Sequence, residues 1–507
     1  LYQRHKHLGT ADMETAIRRH DQQDFILAAG DLSGIQSYIF GIARGEEGGV
    51  ARRLRARSLM VQVFSELAAR ALLERLDLPP PCQIITSGGN FYLLLPNTTE
   101  AVAELEAMAR TLESWALETF HGELAVVLAW EPIGEEAFKI GENQASSGFG
   151  HALHRVNTRL SFRKRQRFRQ ALGGKDSWHP SLFVLDVQYR GQEACLSCRR
   201  FPQGGDAPLC QWCQRDKEIG ARLVGARYLL IRRKPGLPIT FLDWSADVRR
   251  DQADIGPEDV VVQINDFDLR GFRQQEASAR FLANYVPAAN GEADSSIMTF
   301  EDIAKQSRGR ELLGFLKMDV DRLGELVAFG FRGGAQAGRD TMSRLMTLSR
   351  ALDTFFSGWV QHLLESQFPY CYTVFSGGDD LFVVGPWDQI LDLAVTVRQD
   401  FHRWTGRQDI TISGSVVLTH PRYPLARAAE EAEQMLEKAK SDGRNRIALL
   451  REVREWGRFG QAWDLAKDFM EELDQVPSAA LYRLLEYGDM WRRWRDTRDP
   501  LALRYQP

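Results

Sequence analysis

The sequence predicts an α+β chain of two ferredoxin-like units, a zinc-knuckle unit and a C-terminal helical unit. Three observations carry that prediction. Residues 372–385 place β-branched and aromatic runs on either side of Gly377-Gly378, a hairpin whose tip bears Asp379 and Asp380. A weaker copy of the same order of elements starts at Phe25 and carries Ser87-Gly88-Gly89-Asn90 at its own tip. Between the copies stand two Cys-x2-Cys pairs, Cys195/Cys198 and Cys210/Cys213. The expected layout is a tail over 1–23, a first unit over 24–150, a connector over 151–307 with its knuckle at 195–213, a second unit over 308–450, and a helical end over 451–507.

Composition bounds the function. At 507 residues, 44% hydrophobic, the chain can bury several cores. Its 64 Lys and Arg against 68 Asp and Glu give a net charge of −4, so no global basicity draws nucleic acid and any RNA contact is local. No apolar run reaches membrane-span length and no signal peptide is visible, which predicts a cytoplasmic protein without a membrane partner. The chain opens on Leu1 rather than Met, consistent with a fragment.

In the tail, His20-Asp21 is a dipeptide without further metal ligands. In the first unit, residues 25–30 read as a strand leading to Asp31, 55–76 as an amphipathic helix, and 84–95 as a hairpin. Asp31 and Asn90 lie nearly as far apart in sequence as Asp319 and Asp379, which sets Asn90 and Phe91 where the second unit has Asp379 and Asp380. An amide and a phenyl ring cannot replace two anionic metal ligands, so this copy is expected to be catalytically silent. Its Gly-Gly tip leaves backbone N–H groups for phosphate oxygens, with Ser33, Ser87, Gly88, Gly89 and Asn90 as candidate nucleotide-binding residues; a scaffold role is the alternative.

A basic stretch follows, from His154-Arg155 through Arg159, Arg163-Lys164-Arg165, Arg167 and Arg169, either a solvated face or a surface for RNA or a partner. Cys195, Cys198, Cys210 and Cys213 have the spacing of a closed tetrahedral Zn²⁺ site, structural because four thiolates leave no position for a catalytic water. Cys82 and Cys371 read as small buried hydrophobes. Residues 223–307 are strand-rich, then loop-like around 287–296.

The second unit is the more complete. Residues 312–318 form an apolar run ending in Asp319-Val320-Asp321. Met342, Leu345, Leu348, Leu352, Phe355, Trp359 and Leu363 keep helical spacing. After the hairpin come a helix (389–404), a strand (410–418), a helix (425–440) and a strand (446–450). This β-α-β-β-α-β order brings the end of the first strand beside the hairpin tip. Asp319, Asp379 and Asp380 are the candidate catalytic residues, and hard oxygen ligands there favour Mg²⁺ or Mn²⁺. That geometry is the polymerase and nucleotide-cyclase palm. Past residue 450 the chain reads as helical, with Trp456, Phe459, Trp463, Ala466, Phe469 and Leu473 on one stripe.

Ser376-Gly377-Gly378-Asp379-Asp380, Met318-Asp319-Val320-Asp321-Arg322-Leu323-Gly324 and Gly30-Asp31-Leu32-Ser33-Gly34-Ile35-Gln36 together resemble the large, polymerase-like subunit of type III CRISPR effector complexes, closest to the Csm (III-A) branch. The likeness covers nearly the whole chain. It implies that ATP is the substrate and a 3′-5′ linked cyclic oligoadenylate the product, made when target RNA occupies the complex. Two Mg²⁺ ions would be held by Asp319, the Val320 carbonyl and Asp380, with Asp379 placing metals or nucleotide. Ser376, Gly377 and Gly378 line the nucleotide side. Lys440 and Arg444 lie in a stretch similar to that after the last palm helix of GGDEF cyclases, and are expected at the triphosphate. The resemblance further implies smaller effector subunits, guide RNA and target RNA as partners, with Trp491-Arg492-Arg493-Trp494-Arg495 as one contact. Family members usually carry an N-terminal HD nuclease domain; residues 1–23 read as its remnant, and nuclease activity is not expected from these residues. Two other readings are a GGDEF-like cyclase using GTP and a non-catalytic ribonucleoprotein scaffold.

Overall fold

The computed structural model describes residues 23–41, 49–138, 148–172, 191–205, 207–252, 254–272, 275–288, 297–329, 341–471 and 478–503. The expected tail with His20-Asp21 lies outside the described residues except for Gln23, as does most of the 287–296 loop. The chain forms two compact bodies, Leu1–Glu452 and Val453–Pro507, so the first unit, connector and second unit pack as one.

The first unit runs β1 (Phe25–Ser33), α1 (Ile35–Phe40), α2 (Val50–Arg75), β2 (Gln83–Ser87), β3 (Asn90–Pro96), α3 (Thr99–Phe120), β4 (Ala125–Ile133) and α4 (Phe149–Lys164). Its sheet order, β2-β3-β1-β4, is that of a split βαβ unit. β1 is central and buried over all but its end residues, which is why it reads as a continuous apolar run rather than an alternating one. Thr98 caps α3 by accepting the Ala101 N–H, and His121 ends it in the left-handed region. α2 starts earlier than its apolar stripe predicts because Arg53, Arg55 and Arg57 in its early turns are buried.

Those arginines face the connector. α5 (Gln211–Leu223) crosses α2 where a Cβ on Gly220 would stand 1.8 Å from the Arg52 carbonyl oxygen, so only glycine fits. Arg55 donates to the Gly220 carbonyl at 2.9 Å, and Arg57 pairs with Asp216 at 2.9 Å. Beyond α5, a small sheet holds β5 (Tyr228–Arg232), β6 (Ile239–Phe241), β7 (Trp244–Arg249), β8 (Val260–Ile264) and β9 (Glu276–Arg280), in the order β6-β7-β5-β8-β9.

The second unit comprises β10 (Leu313–Val320), α6 (Met342–Asp353), a π-helical turn (Thr354–Trp359), α7 (Val360–Gln367), β11 (Tyr372–Gly377), β12 (Asp380–Pro386), α8 (Trp387–Thr405), β13 (Ile412–Thr419), α9 (Leu425–Ser441) and β14 (Arg446–Leu449). Its strands follow the order β11-β12-β10-β13-β14, the split βαβ pattern with β14 added parallel to β13. The predicted 342–363 helix is interrupted by the π turn, which packs behind the hairpin.

Strand pairing corrects the predicted equivalence of the two units. Asp31 faces Asn90 as Asp319 faces Asp380, and the Leu32 N–H donates to Gly89 as the Val320 N–H donates to Asp379. Asn90 therefore corresponds to Asp380 and Gly89 to Asp379, whereas Phe91 corresponds to the core residue Leu381. Counting from the strand acid misplaces the tip because the segment between strand and hairpin differs in length, while register is set by pairing. The first unit has lost a carboxylate at each position. At Gly89 the loss is steric as well: its φ is +97° and a Cβ would lie 2.7 Å from Ile35 Cδ1.

In the second body, α10 (Trp456–Glu471) buries Trp456, Phe459 and Trp463 along the predicted stripe, with Ala466 and Phe469 half-buried and Leu473 outside the described residues. α11 (Ser478–Thr497) exposes Tyr482, Leu485 and Trp491, with Arg495 5.3 Å over the Trp491 ring.

Gly89→Ala is expected to cost about 1–3 kcal/mol through its positive φ, lowering the melting temperature. Gly460→Ala, at an open helical position, is expected to be neutral or stabilising. A Gly89→Ala protein melting with wild type would contradict the strained tip.

Candidate active site

Antiparallel pairing of β10 with β12 puts Asp319 directly opposite Asp380, and a 3.0 Å bond from the Val320 N–H to the Asp379 carbonyl fixes the tip beside them. Two cations answer these acids. Lys440, in the last turn of α9, places Nζ 2.8 Å from Asp319 Oδ1 and 3.7 Å from Glu437. Lys317, two residues before Asp319 and so on the same face of β10, is buried and paired with Glu433 of α9.

The electrostatics follow from burial and crowding. Burial, then the neighbouring Asp379, holds the Asp380 carboxyl well above the usual range. Asp379 is pushed up to about 6 by burial and then by Asp319. Burial raises Asp319 too, against the pull of Lys440. Burial works against the charge on Lys440, but Asp319 outweighs it and its pKa rises. Three carboxylates thus crowd one place with a single ammonium in contact, an excess of negative charge at the hairpin tip.

Asp319, Asp379, Asp380 and Lys440 are thus brought together. Asp321 is not: its carboxylate accepts the Thr411 and Ser413 hydroxyls at 2.7 Å and the Asn445 N–H at 2.9 Å, tying β10 to β13 and the 443–445 loop. Ser376 is buried and its hydroxyl donates to the Phe356 carbonyl at 2.6 Å, so it braces the hairpin on the π turn and offers no free group to a nucleotide. Gly377 lies tight against Ser357, whose Oγ would be 3.1 Å from a Cβ there. The Gly378 N–H is 3.3 Å from Asp353 Oδ1, which also accepts the Ser357 hydroxyl. Arg444 caps α9 through its backbone N–H and lines a cavity of about 640 Å³ with Arg322, Glu325 and Asp409, away from Asp319. Val320 is buried.

The first unit keeps half of this arrangement. Lys164, at the end of α4, reaches Asp31 with Nζ 2.6 Å from Oδ2, just as Lys440 at the end of α9 reaches Asp319. Burial raises the Asp31 pKa against that lysine. Asn90 then stands where an acid would complete the set. Ser33 ends β1 half-buried opposite Ala125, and the Ser87 side chain lies outside the described residues. The tips approach each other: a Cβ on Gly88 would lie 4.0 Å from Asp379 Oδ1. Part of the basic stretch is used internally, with Arg155 and Arg159 on Glu131 and Arg163 5.1 Å over Trp130.

Sequence reasoning missed Lys317, Asp353 and Lys164 as site residues. Lys317 had a legible signal, a lone cation in an apolar strand. Lys164 was hidden in a basic run.

The four cysteines form a second candidate centre. Their sulfurs all lie within 4.8 Å of one another, and Cys198 and Cys210 are 3.7 Å apart. A tetrahedral zinc site with Zn–S near 2.3 Å requires sulfurs about 3.8 Å apart, so the quartet fits. The Cys195 N–H donates to Phe201 and the Arg199 N–H to Cys195, forming the tight loop such a site needs. Cys371 is buried and burial pushes its thiol up, while Cys82 is half-buried.

The second sheet and its acid cluster define a palm-domain protein. Residues 312–448 match the family model described as Cas10/Cmr2, second palm domain, and residues 24–176 match Csm1 subunit domain B. Over these two stretches the chain is similar to the Cas10/Csm1 proteins of subtype III-A CRISPR systems. It is 29% identical over 492 residues to a protein of Thermococcus onnurineus named CRISPR system single-strand-specific deoxyribonuclease Cas10/Csm1, matching 90% of this chain and 60% of that one. The same-named protein of Mycobacterium tuberculosis is 28% identical over 533 residues, 94% of this chain and 62% of the other. The chain therefore spans about three fifths of the length of these relatives. Among solved structures, the apo Csm1–Csm4 cassette superposes with a TM-score of 0.75 at 25% identity, covering 96% of this chain and 64% of its counterpart. Among the described residues no helix is long and apolar enough to cross a membrane.

The purified chain is expected to carry one Zn²⁺ per molecule, and Cys198→Ser to lose it with increased protease sensitivity around residues 191–223. Elemental analysis finding no zinc in freshly prepared protein would contradict the closed quartet.

Proposed function

We propose that the chain is the catalytic large subunit of a type III-A effector complex, polymerising ATP into 3′-5′ linked cyclic oligoadenylates when target RNA is bound. The observation that carries this reading is the pairing of Asp319 with Asp380, with Asp379 beside them and Lys440 in contact, in a segment matching the Cas10/Cmr2 second palm. A Csm1–Csm4 cassette 25% identical to this chain was solved with one ATP, with a TM-score of 0.70, and another with pppApApA, with a TM-score of 0.65. Both support an adenine nucleotide as substrate. The deoxyribonuclease activity in the curated relatives' name is stated of those longer proteins.

Asp319, the Val320 carbonyl and Asp380 would hold Mg²⁺, which when bound lowers the pKa of an acceptor 3′-hydroxyl and neutralises triphosphate charge. The chain's own residues do the positioning. Asp379, fixed at the tip through Val320, aligns the nucleotide end of the site. Lys440 exchanges Asp319 for a phosphate oxygen, a swap of one anion for another at the same ammonium. Asp353 and Ser376 hold the Gly-Gly turn in place from behind. The first palm presents its tip to Asp379 through Gly88 and holds the acceptor nucleotide without activating it, because Gly89 and Asn90 supply no anionic ligand. Smaller subunits and guide and target RNA complete the complex. The exposed Tyr482, Leu485 and Trp491 of α11 support a docking role for the second body.

Asp380→Asn writes the first palm's residue into the second and removes charge where the transferring phosphoryl needs it. Oligoadenylate synthesis by the complex assembled with its smaller subunits and target RNA should fall about a thousandfold or more. Asn90→Ala should weaken nucleotide affinity about tenfold. Target-RNA binding should be unchanged in both. Near wild-type synthesis by Asp380→Asn, with loss in Asn90→Ala, would place catalysis in the other palm.

A further inference from the structure

A cavity of about 650 Å³ lies between the first palm and the cysteine knuckle. None of Asp319, Asp379, Asp380 and Lys440 lines it. Its walls come from the start of α1, Arg57 of α2, the turn after α3, Arg167 beyond α4, the knuckle loop and the first turns of α5. The volume falls within the range of small-molecule sites.

Its charge is one-sided. Five guanidinium groups, Arg57, Arg167, Arg199, Arg200 and Arg215, line it against two carboxylates, Glu123 and Asp216. Both carboxylates are already engaged. Asp216, 1% exposed, takes Arg57 at 2.9 Å and Arg215 at 3.1 Å, and Glu123 pairs with Arg200. His121 adds no anion, and burial followed by Arg200 lowers its pKa toward the neutral imidazole. Three positive charges are left over in a half-enclosed space whose low-dielectric walls concentrate their field. The Nε–H of Arg215 is buried without an acceptor among the described residues, a donor that an incoming anion would satisfy. Phe201 and Trp212 stand in the same wall, Trp212 with the Arg215 guanidinium 5.0 Å over one side of its ring and Phe201 with the His121 ring 5.4 Å away.

The knuckle builds this wall. Arg199 follows Cys198 directly, is held at a φ of +54° and donates its N–H to Cys195. The Phe201 carbonyl accepts the Cys195 N–H, and Trp212 and Arg215 flank Cys213. The cysteine quartet therefore fixes two cations and two aromatic rings at once, so a metal held there would shape this wall as well as its own loop.

We propose that this cavity binds one nucleotide unit without chemistry, its phosphate on Arg167 and Arg199 and its base against Phe201 or Trp212. Guanidinium forks match phosphate oxygens in pairs, and aromatic faces accept any base. Such a unit comes either from a single-stranded RNA or from a free nucleotide.

The test compares the intact chain with an Arg167→Ala/Arg199→Ala double variant, and uses Arg159→Ala/Arg163→Ala, from the same basic stretch but outside the cavity, as control. A 12-nucleotide single-stranded RNA is titrated at several salt concentrations, and ATP is titrated by calorimetry. For an RNA strand, affinity should fall about tenfold in the cavity variant, and the slope of log affinity against log salt should drop by about 0.7, the share of one phosphate. For a free nucleotide, RNA binding is unchanged and the ATP stoichiometry falls by one. Either result supports the site and names its source. Unchanged RNA affinity, salt slope and ATP stoichiometry, or an equal loss in the control pair, would overturn it. Zinc content equal to wild type shows that the knuckle of the variant is intact.

Discussion

The register that sets Asp319 across from Asp380 forces like charges together in a half-buried place, and much of the second palm answers that repulsion. Lys440 contacts Asp319 from the end of α9, and Lys317 supplies a buried positive charge from the same strand face. Neither lysine neutralises the cluster, and the proton affinities of Asp379 and Asp380 stay raised. In the proposed reading a divalent cation held by the acids and a triphosphate on Lys440 would resolve the imbalance together. The site's function is thus written as an unmet electrostatic demand.

The first palm shows what removing that demand does. It retains the acid at the end of its central strand and the lysine at the end of the helix after its fourth strand, in direct contact. It has an amide and a glycine in place of the two acids of the hairpin, the glycine held at a φ of +97° that strains any side chain there. One carboxylate against one ammonium is balanced, in contrast to the three acids of the second copy. With Gly88 close to Asp379, the balanced palm forms a wall for the unbalanced one.

The second palm and the cysteine quartet were legible because periodicity and cysteine spacing are local signals. The hairpin equivalence was not. Counting residues between Asp31 and Asn90 put Phe91 at a ligand position, whereas cross-strand pairing assigns that position to Asn90 and buries Phe91 in the space Gly30 leaves. Asp321 and Ser376 belong to motifs that name the site, yet their side chains are spent on Thr411, Ser413, Asn445 and Phe356. Sequence shows which polar groups are present near a site but not which are already satisfied. Lys164 was obscured for the converse reason: in a run of cations, nothing local marks the one that turns inward.

The most direct measurement is mass spectrometry of the products formed from ATP and Mg²⁺ by the chain assembled with its smaller subunits, with and without target RNA. Pyrophosphate together with cyclic oligoadenylates, formed only with target RNA and not from GTP, is the result this account predicts. Unconsumed ATP despite bound metal and target RNA, or preferential use of GTP, would contradict it.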